Sequence, residues 1–494
     1  MLAFLARKRH LLLVLALAAL HMLVWERGLA GDGWGYLSTL ESMVEDRDVD
    51  LTNNRYAVTN GIGFHEPTQR WLAQYPPGLA IFDSPLYLLG VEAWERGWVR
   101  PSIPPEKMRT AYKHTDSRTL TRILFVVLSH NLYALLAIVL IDLTLLRLGF
   151  SEGEAAFATA LAFFGSQLHF YAQNGMAHAV STCLAAAAAA ILAGICARPG
   201  GRPGRWFGLG LAVGGVAIIR YPGVLLALPV ALALLVLHRR SPGALIGRGL
   251  QFSAGLLSLL WILPAYVWLQ TGDPLASTYT PHWRFDPMNP PVFNVLFNPR
   301  HGFFWFHPLF LLAVGAMIAA VVKRDGTRPE RRLFAGSGLL ALGAIAALHG
   351  YWFSWWGDSY SQRYVTETIP FLAPGIALFV TAGRRAWRVP LALALTVLSY
   401  GFFLLSNAAL VYDVMEGGPG QYLSDYRIIL DQGMTLAQIG RRLAHASFTL
   451  PLLERHAALV AAGFVLLALG YALLGRVARR SRGLGVGRPA EGPA

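Results

Sequence analysis

Residues 120–146 read LTRILFVVLSHNLYALLAIVLIDLTLL. The run is longer than the roughly 20 apolar residues an α-helix needs to cross a ~30 Å hydrocarbon core. Working outward, comparable runs recur near 11–26, 155–172, 177–196, 207–219, 222–238, 244–269, 303–322, 333–350, 366–383, 389–411 and 457–476. Of the 494 residues, 55% are hydrophobic and 14% charged, too few charges to solubilise so much apolar surface in water. These features predict an all-α membrane protein with about 12 transmembrane helices, one membrane domain over 1–480 and a Gly/Pro/Arg-rich, disordered cytoplasmic tail at 481–494.

The net charge of +14 raises nucleic acid as a partner, but the distribution of the arginines points elsewhere. They gather in short loops: Arg7 to Arg9, Arg202 and Arg205, Arg239 and Arg240, Lys323 to Arg332, Arg384 to Arg388, Arg476 to Arg482. That is the positive-inside pattern, with anionic membrane lipid as the neighbour and no nucleic acid. With both termini cytoplasmic, alternation places loops 27–119, 270–302, 351–365 and 412–456 outside the cytoplasmic (inner) membrane. The run 78–99, interrupted by Asp83, Glu92, Glu95 and Arg96, reads as interfacial helices in the long first outer loop rather than a span. Loop 412–456 has turn formers at Gly417 to Gly420, then apolar residues at helical spacing through Ile428, Ile429, Met434, Leu436 and Ile439, which predicts interfacial helices. Cys183 and Cys196 share one apolar run and read as small packing residues.

The residues that carry chemistry fall on the outer side. Asp32 sits in Gly31-Asp32-Gly33-Trp34-Gly35-Tyr36, just after the first helix. A carboxylate there, on glycine-rich backbone and flanked by aromatic rings, is placed to take a proton from an acceptor hydroxyl; the competing reading is a helix-ending turn with interfacial rings. Gln74-Tyr75-Pro76-Pro77-Gly78 follows in the same loop on an extended backbone. Arg220 interrupts a long apolar region at Ile219-Arg220-Tyr221-Pro222, where an unpaired charge is costly and a guanidinium suits a phosphate. His178 begins a helix, and Arg300 and His301 open another, both on this face. In 351–364, Trp356, Asp358, Arg363 and Tyr364 combine rings with an acid and an arginine. An interfacial aromatic belt needs no such acid or arginine, which favours contact with a sugar or lipid. His65 and Glu66 complete no ligand set; no metal site is assigned, and a divalent cofactor stays open.

Dispersed residues converging at one depth look like a single site. Nucleotide sugars and ATP are not normally available outside, so a group-transfer enzyme there needs a donor delivered through the membrane, a polyprenyl-linked phosphate compound. The acid after the first helix, the Tyr75-Pro76-Pro77-Gly78 element and the late Gly357-Asp358-x-x-x-x-Arg363-Tyr364 loop resemble the GT-C glycosyltransferases, over roughly residues 1–385. The resemblance implies a GT-C-type helical bundle and an inverting transfer of one sugar from a polyprenyl-phosphate donor to an envelope lipid, glycan or protein. It implies Asp32 as general base and Arg363 toward the donor phosphate, with Arg220 and Arg300 at weaker basic positions and Tyr36 and Tyr75 among the substrate contacts. Two departures stand out: Gly33 where the mannosyltransferases carry a second acid, and Gln74 where a lysine is frequent. A ligase or polymerase of lipid-linked polysaccharide is the rival enzyme, and a transporter or flippase for a lipid-linked sugar the rival class. A transporter should carry paired ionisable residues at the midplane and symmetry between halves.

Overall fold

The computed structural model describes residues 8–24, 29, 31–54, 61–100, 116–200, 204–276, 292–323, 327–352, 360–383, 386–415 and 427–446. Among these, seven helices are long and apolar enough to cross a bilayer, and three shorter apolar ones accompany them, as in a multi-pass membrane protein. The expected helix at 457–476, the tail at 481–494, Trp356 and Asp358 lie outside the described residues.

The chain opens with α1 (Arg9–Val24). The first long connection carries α2 (Gly33–Glu41), a hairpin of β1 (Ile62–His65) and β2 (Arg70–Ala73), and α3 (Gly78–Glu95). Then come α4 (Ser117–Arg147), α5 (Glu152–Phe164), the short α6 (Leu168–Tyr171), α7 (His178–Ala197) and α8 (Gly204–Ile219). A 3₁₀ turn at Tyr221–Leu226 leads into α9 (Ala227–His238), followed by α10 (Pro242–Leu260) and α11 (Ile262–Thr271). The second half holds α12 (Val292–Phe297), α13 (Phe303–Phe306), α14 (Pro308–Val322), α15 (Pro329–Gly350), a 3₁₀ turn at Arg363–Thr368, α16 (Ile369–Thr381) and α17 (Arg388–Met415). The last described helices are α18 (Arg427–Asp431) and the amphipathic α19 (Leu436–Ala446), both within the loop expected to hold interfacial helices.

The expectation of an all-α chain misses the antiparallel hairpin, whose four-residue strands pair Ile62 with Ala73 and His65 with Arg70. His65 is absorbed there, its Nδ1 2.8 Å from Thr68 Oγ1. Several runs read as single helices are broken, for local reasons. The run 303–322 divides at His307, where Pro308 has no N–H to continue the ladder and takes the first helical position instead. The run 155–172 divides at Gly165 to Gln167. The run 222–238 begins as a 3₁₀ turn with Pro222 in its first turn. By contrast 78–99, interrupted by charge in the sequence, is one continuous helix over Gly78–Glu95. Asp83 causes no break because it turns inward: its carboxylate accepts from Ser129 Oγ at 2.7 Å and lies 2.9 Å from His130 Nε2 on α4.

The core is a continuous apolar cluster built from α4, α5, α7, α8 and α14 to α16, rich in alanine where α7 packs between α4 and α8. Small residues let membrane helices approach closely. The result is a rigid wall whose helix ends, at 178, 220 and 363, meet at one end of the bundle.

Candidate active site

Gly31, at φ +50°, turns the chain into α2, and Asp32 stands at that helix's first turn. A side chain on Gly35 would come within 2.6 Å of the Tyr75 ring, so glycine here makes room for the ring to enter. Tyr75 lies against Tyr36, centroids 4.4 Å apart, and its hydroxyl donates to the Asp32 carboxylate. Burial first, and the charge of Asp32 second, push the Tyr75 phenol well above its ordinary pKa, so it stays a donor. Pro76 and Pro77 then deliver the chain to Gly78, which packs on the Ile218–Ile219 backbone directly before Arg220.

Arg363 reaches the same acid from the far end of the sequence. Its Nη1 donates to Asp32 Oδ2 at 2.8 Å and lies 3.9 Å from Met176 Sδ. The turn that aims it is held by Gln167, whose Nε2 donates to Gln362 O at 2.7 Å and Thr366 Oγ1 at 2.9 Å. Ser361 sits in the left-handed region at φ +53°, unusual for a residue with a Cβ, and that turn sets the entry of Arg363.

One turn further, Glu367 accepts from Arg220 and from Ser181 Oγ, the latter at 2.6 Å. His178 Nδ1 lies 3.1 Å from Arg220 Nη1. A guanidinium only donates, so Nδ1 is the acceptor and the neutral ring carries its proton on Nε2. The Tyr364 ring ties the two halves together: the Arg220 and Arg363 guanidinium carbons lie 5.7 and 5.3 Å from its centroid, and His349 stacks on it at 4.1 Å. Asp32, Tyr36, Tyr75, His178, Arg220, Arg363 and Tyr364, from five separate segments, thus form one contiguous network.

Arg300 and His301 follow α12, the first exposed and the second buried. Glu367, Ser181 and His349 belong to the network but carry no signal in the motifs. Glu367 does carry one as a lone acid in an apolar run, the rule that singles out Arg220. Chemically, the site presents two guanidiniums beside one carboxylate that is partly open to solvent and one that is sealed. Their side chains are 21% exposed for Asp32 and 3% for Glu367. A fork with one nitrogen engaged retains further donors for a phosphate, and a carboxylate at a rim is accessible to a hydroxyl.

No protein-family model and no curated sequence matches the chain. Among solved structures, ArnT from Cupriavidus metallidurans bound to undecaprenyl phosphate aligns over 95% of this chain and 75% of its own, at 16% identity and a TM-score of 0.53. Its apo state aligns over the same shares at 16% identity with a TM-score of 0.51. The apo oligosaccharyltransferase of Archaeoglobus fulgidus aligns over 83% of this chain and 59% of its own, at 13% identity and a TM-score of 0.46. At such identities the likeness speaks for architecture, and it runs through nearly the whole chain: this protein has the fold seen in ArnT.

Proposed function

We propose that the protein is a glycosyltransferase that moves a single sugar from a polyprenyl-phosphate donor to an acceptor on the outer face of the cytoplasmic membrane, with inversion. The observation that carries the reading is the ion pair between Asp32 and Arg363, joining an acid after the first helix to an arginine hundreds of residues later. The GT-C fold, in which the similar ArnT is seen bound to undecaprenyl phosphate, supports a lipid-linked phosphate as the partner.

In this scheme the donor phosphate takes Arg363 in place of Asp32, because the two non-bridging oxygens of the phosphodiester match the guanidinium fork, whereas Asp32 engages it through Nη1. Asp32, released, accepts the proton of the acceptor hydroxyl as its oxygen bonds to the sugar's anomeric carbon. The bond from that carbon to the phosphate oxygen breaks on the opposite side, and polyprenyl phosphate leaves with the electron pair. Arg363 and Arg220 offset the charge that grows on the leaving group. Tyr36 and Tyr75 flank the acceptor side; Tyr364 is assigned to the sugar, and from the sequence so are Trp356 and Asp358. Arg300 and His301 are assigned to the lipid-phosphate side, and the acceptor is an envelope lipid, glycan or protein.

The test uses purified protein in proteoliposomes with a panel of polyprenyl-phosphate sugars. Release of polyprenyl phosphate that depends on donor and acceptor, and that Asp32→Asn removes while donor still binds, supports the reading. Donor crossing the bilayer uncleaved, at equal rates in both proteins, would replace it with a flippase.

A further inference from the structure

A second cationic site lies at the opposite end of the bundle. A cavity of ≈ 360 Å³ there is lined by Arg147, Ile191, Gly194, Gly204, Arg205 and Gly208, at the meeting of the ends of α4 and α7 with the start of α8. The 20 residues of α7 run from His178 in the candidate active site to this end. At 1.5 Å per residue that is about 30 Å, one hydrocarbon thickness.

The two arginines converge on a single stripe of α7. Arg147 Nη1 donates to Ala190 O at 2.7 Å and Arg205 Nη1 to Gly194 O at 3.3 Å. These carbonyls belong to residues four apart, so the anchor points are about 6 Å apart along the axis. Among the described residues neither arginine takes part in an ion pair, and each lies within the other's repulsive field. Gly194 lies in the last turn of α7 and Ala190 a turn further in, and neither contact by itself calls for a cavity. Here two guanidiniums, each with donors to spare, stand over a recess whose other walls are isoleucine and glycine. A compact anion satisfies the charges and an alkyl chain fills the recess.

We infer that this cavity is a binding site for an anionic phospholipid of the leaflet opposite the candidate active site, its phosphate bridging Arg147 and Arg205 and one acyl chain lying along Ile191, Gly194 and Gly208. The site is separate from the transferase reading, and its failure leaves that reading untouched.

The test is native mass spectrometry of delipidated protein titrated with phosphatidylglycerol, phosphatidylcholine or inorganic phosphate. Phosphatidylglycerol binds at least tenfold tighter than phosphatidylcholine, and Arg147→Gln/Arg205→Gln erases that preference. Gly208→Leu, which fills the recess and leaves both arginines in place, lowers phosphatidylglycerol binding by a similar factor and decides the matter if the double variant does not fold. The inference is overturned if the two lipids bind equally, if inorganic phosphate binds as tightly as the lipid, or if Gly208→Leu retains full binding.

Discussion

Two ion pairs stand at one end of this bundle, both beside Tyr364, and they are built differently. Arg220 with Glu367 is sealed, the acid 3% exposed and ringed by Ser181 and His178. Arg363 with Asp32 stands at the rim, the acid 21% exposed and shared with the Tyr75 hydroxyl. A buried pair that loses one partner leaves a charge without solvent, which is strongly destabilising. The two arginines are equally buried, at 12% exposed for Arg363 and 11% for Arg220, so the difference lies in the acids: water and ligand reach Asp32 and not Glu367. The sealed pair therefore fixes where Arg220 points, while the open pair is the one the proposed reaction gives to a substrate phosphate and a nucleophile.

That contrast is breakable by substitution. Arg363→Gln should lower turnover by about 10²–10³ through loss of stabilisation of the leaving phosphate. Thermal unfolding should show a stability loss smaller than that of Arg220→Ala; an equal loss would erase the distinction. Arg220→Ala, which strands Glu367, should cost about 3–5 kcal/mol of stability, read from denaturation in detergent. Restoring most of it with Arg220→Ala/Glu367→Gln would sharpen the assignment to the buried charge itself. Gly35→Ala forces a methyl toward the Tyr75 ring, which sits between neighbours and has little room to give. A loss of about 1–3 kcal/mol, with turnover falling because Tyr75 shifts against Asp32, is expected. The smallest effect belongs to Tyr75→Phe, which removes one hydrogen bond to a partly exposed carboxylate: about 1 kcal/mol or less in stability. Turnover unchanged in this variant would place Tyr75 in packing alone.

Much of this arrangement is legible in the sequence, because the membrane imposes strong rules. A bilayer requires long apolar helices, and a cation such as Arg220 inside one needs a reason. The motifs around Asp32, Tyr75 and Arg363 carry enough pattern to point at one another. Glu367 is a lone acid in the apolar run 366–383, a signal of the same kind as Arg220, but the run does not say which cation it faces. The hairpin at 62–73 escapes because four-residue strands are too short to show a two-residue alternation. That Gly78–Glu95 runs as one helix through its charges is not legible from the segment alone, because Asp83 turns in to Ser129 and His130 on another helix. The break at His307 has its cause in the sequence, at Pro308, but a proline within an apolar run does not alter the hydropathy by which the run is read.

The central claim is that Arg363 exchanges Asp32 for a lipid-linked phosphate. Its most direct test is equilibrium binding of a polyprenyl phosphate to the purified protein in nanodiscs, comparing the native chain with Asp32→Asn and Arg363→Gln. The account predicts that Asp32→Asn binds several-fold tighter, since the competing carboxylate is gone, and that Arg363→Gln binds at least tenfold more weakly. Native-like binding by both variants would contradict it.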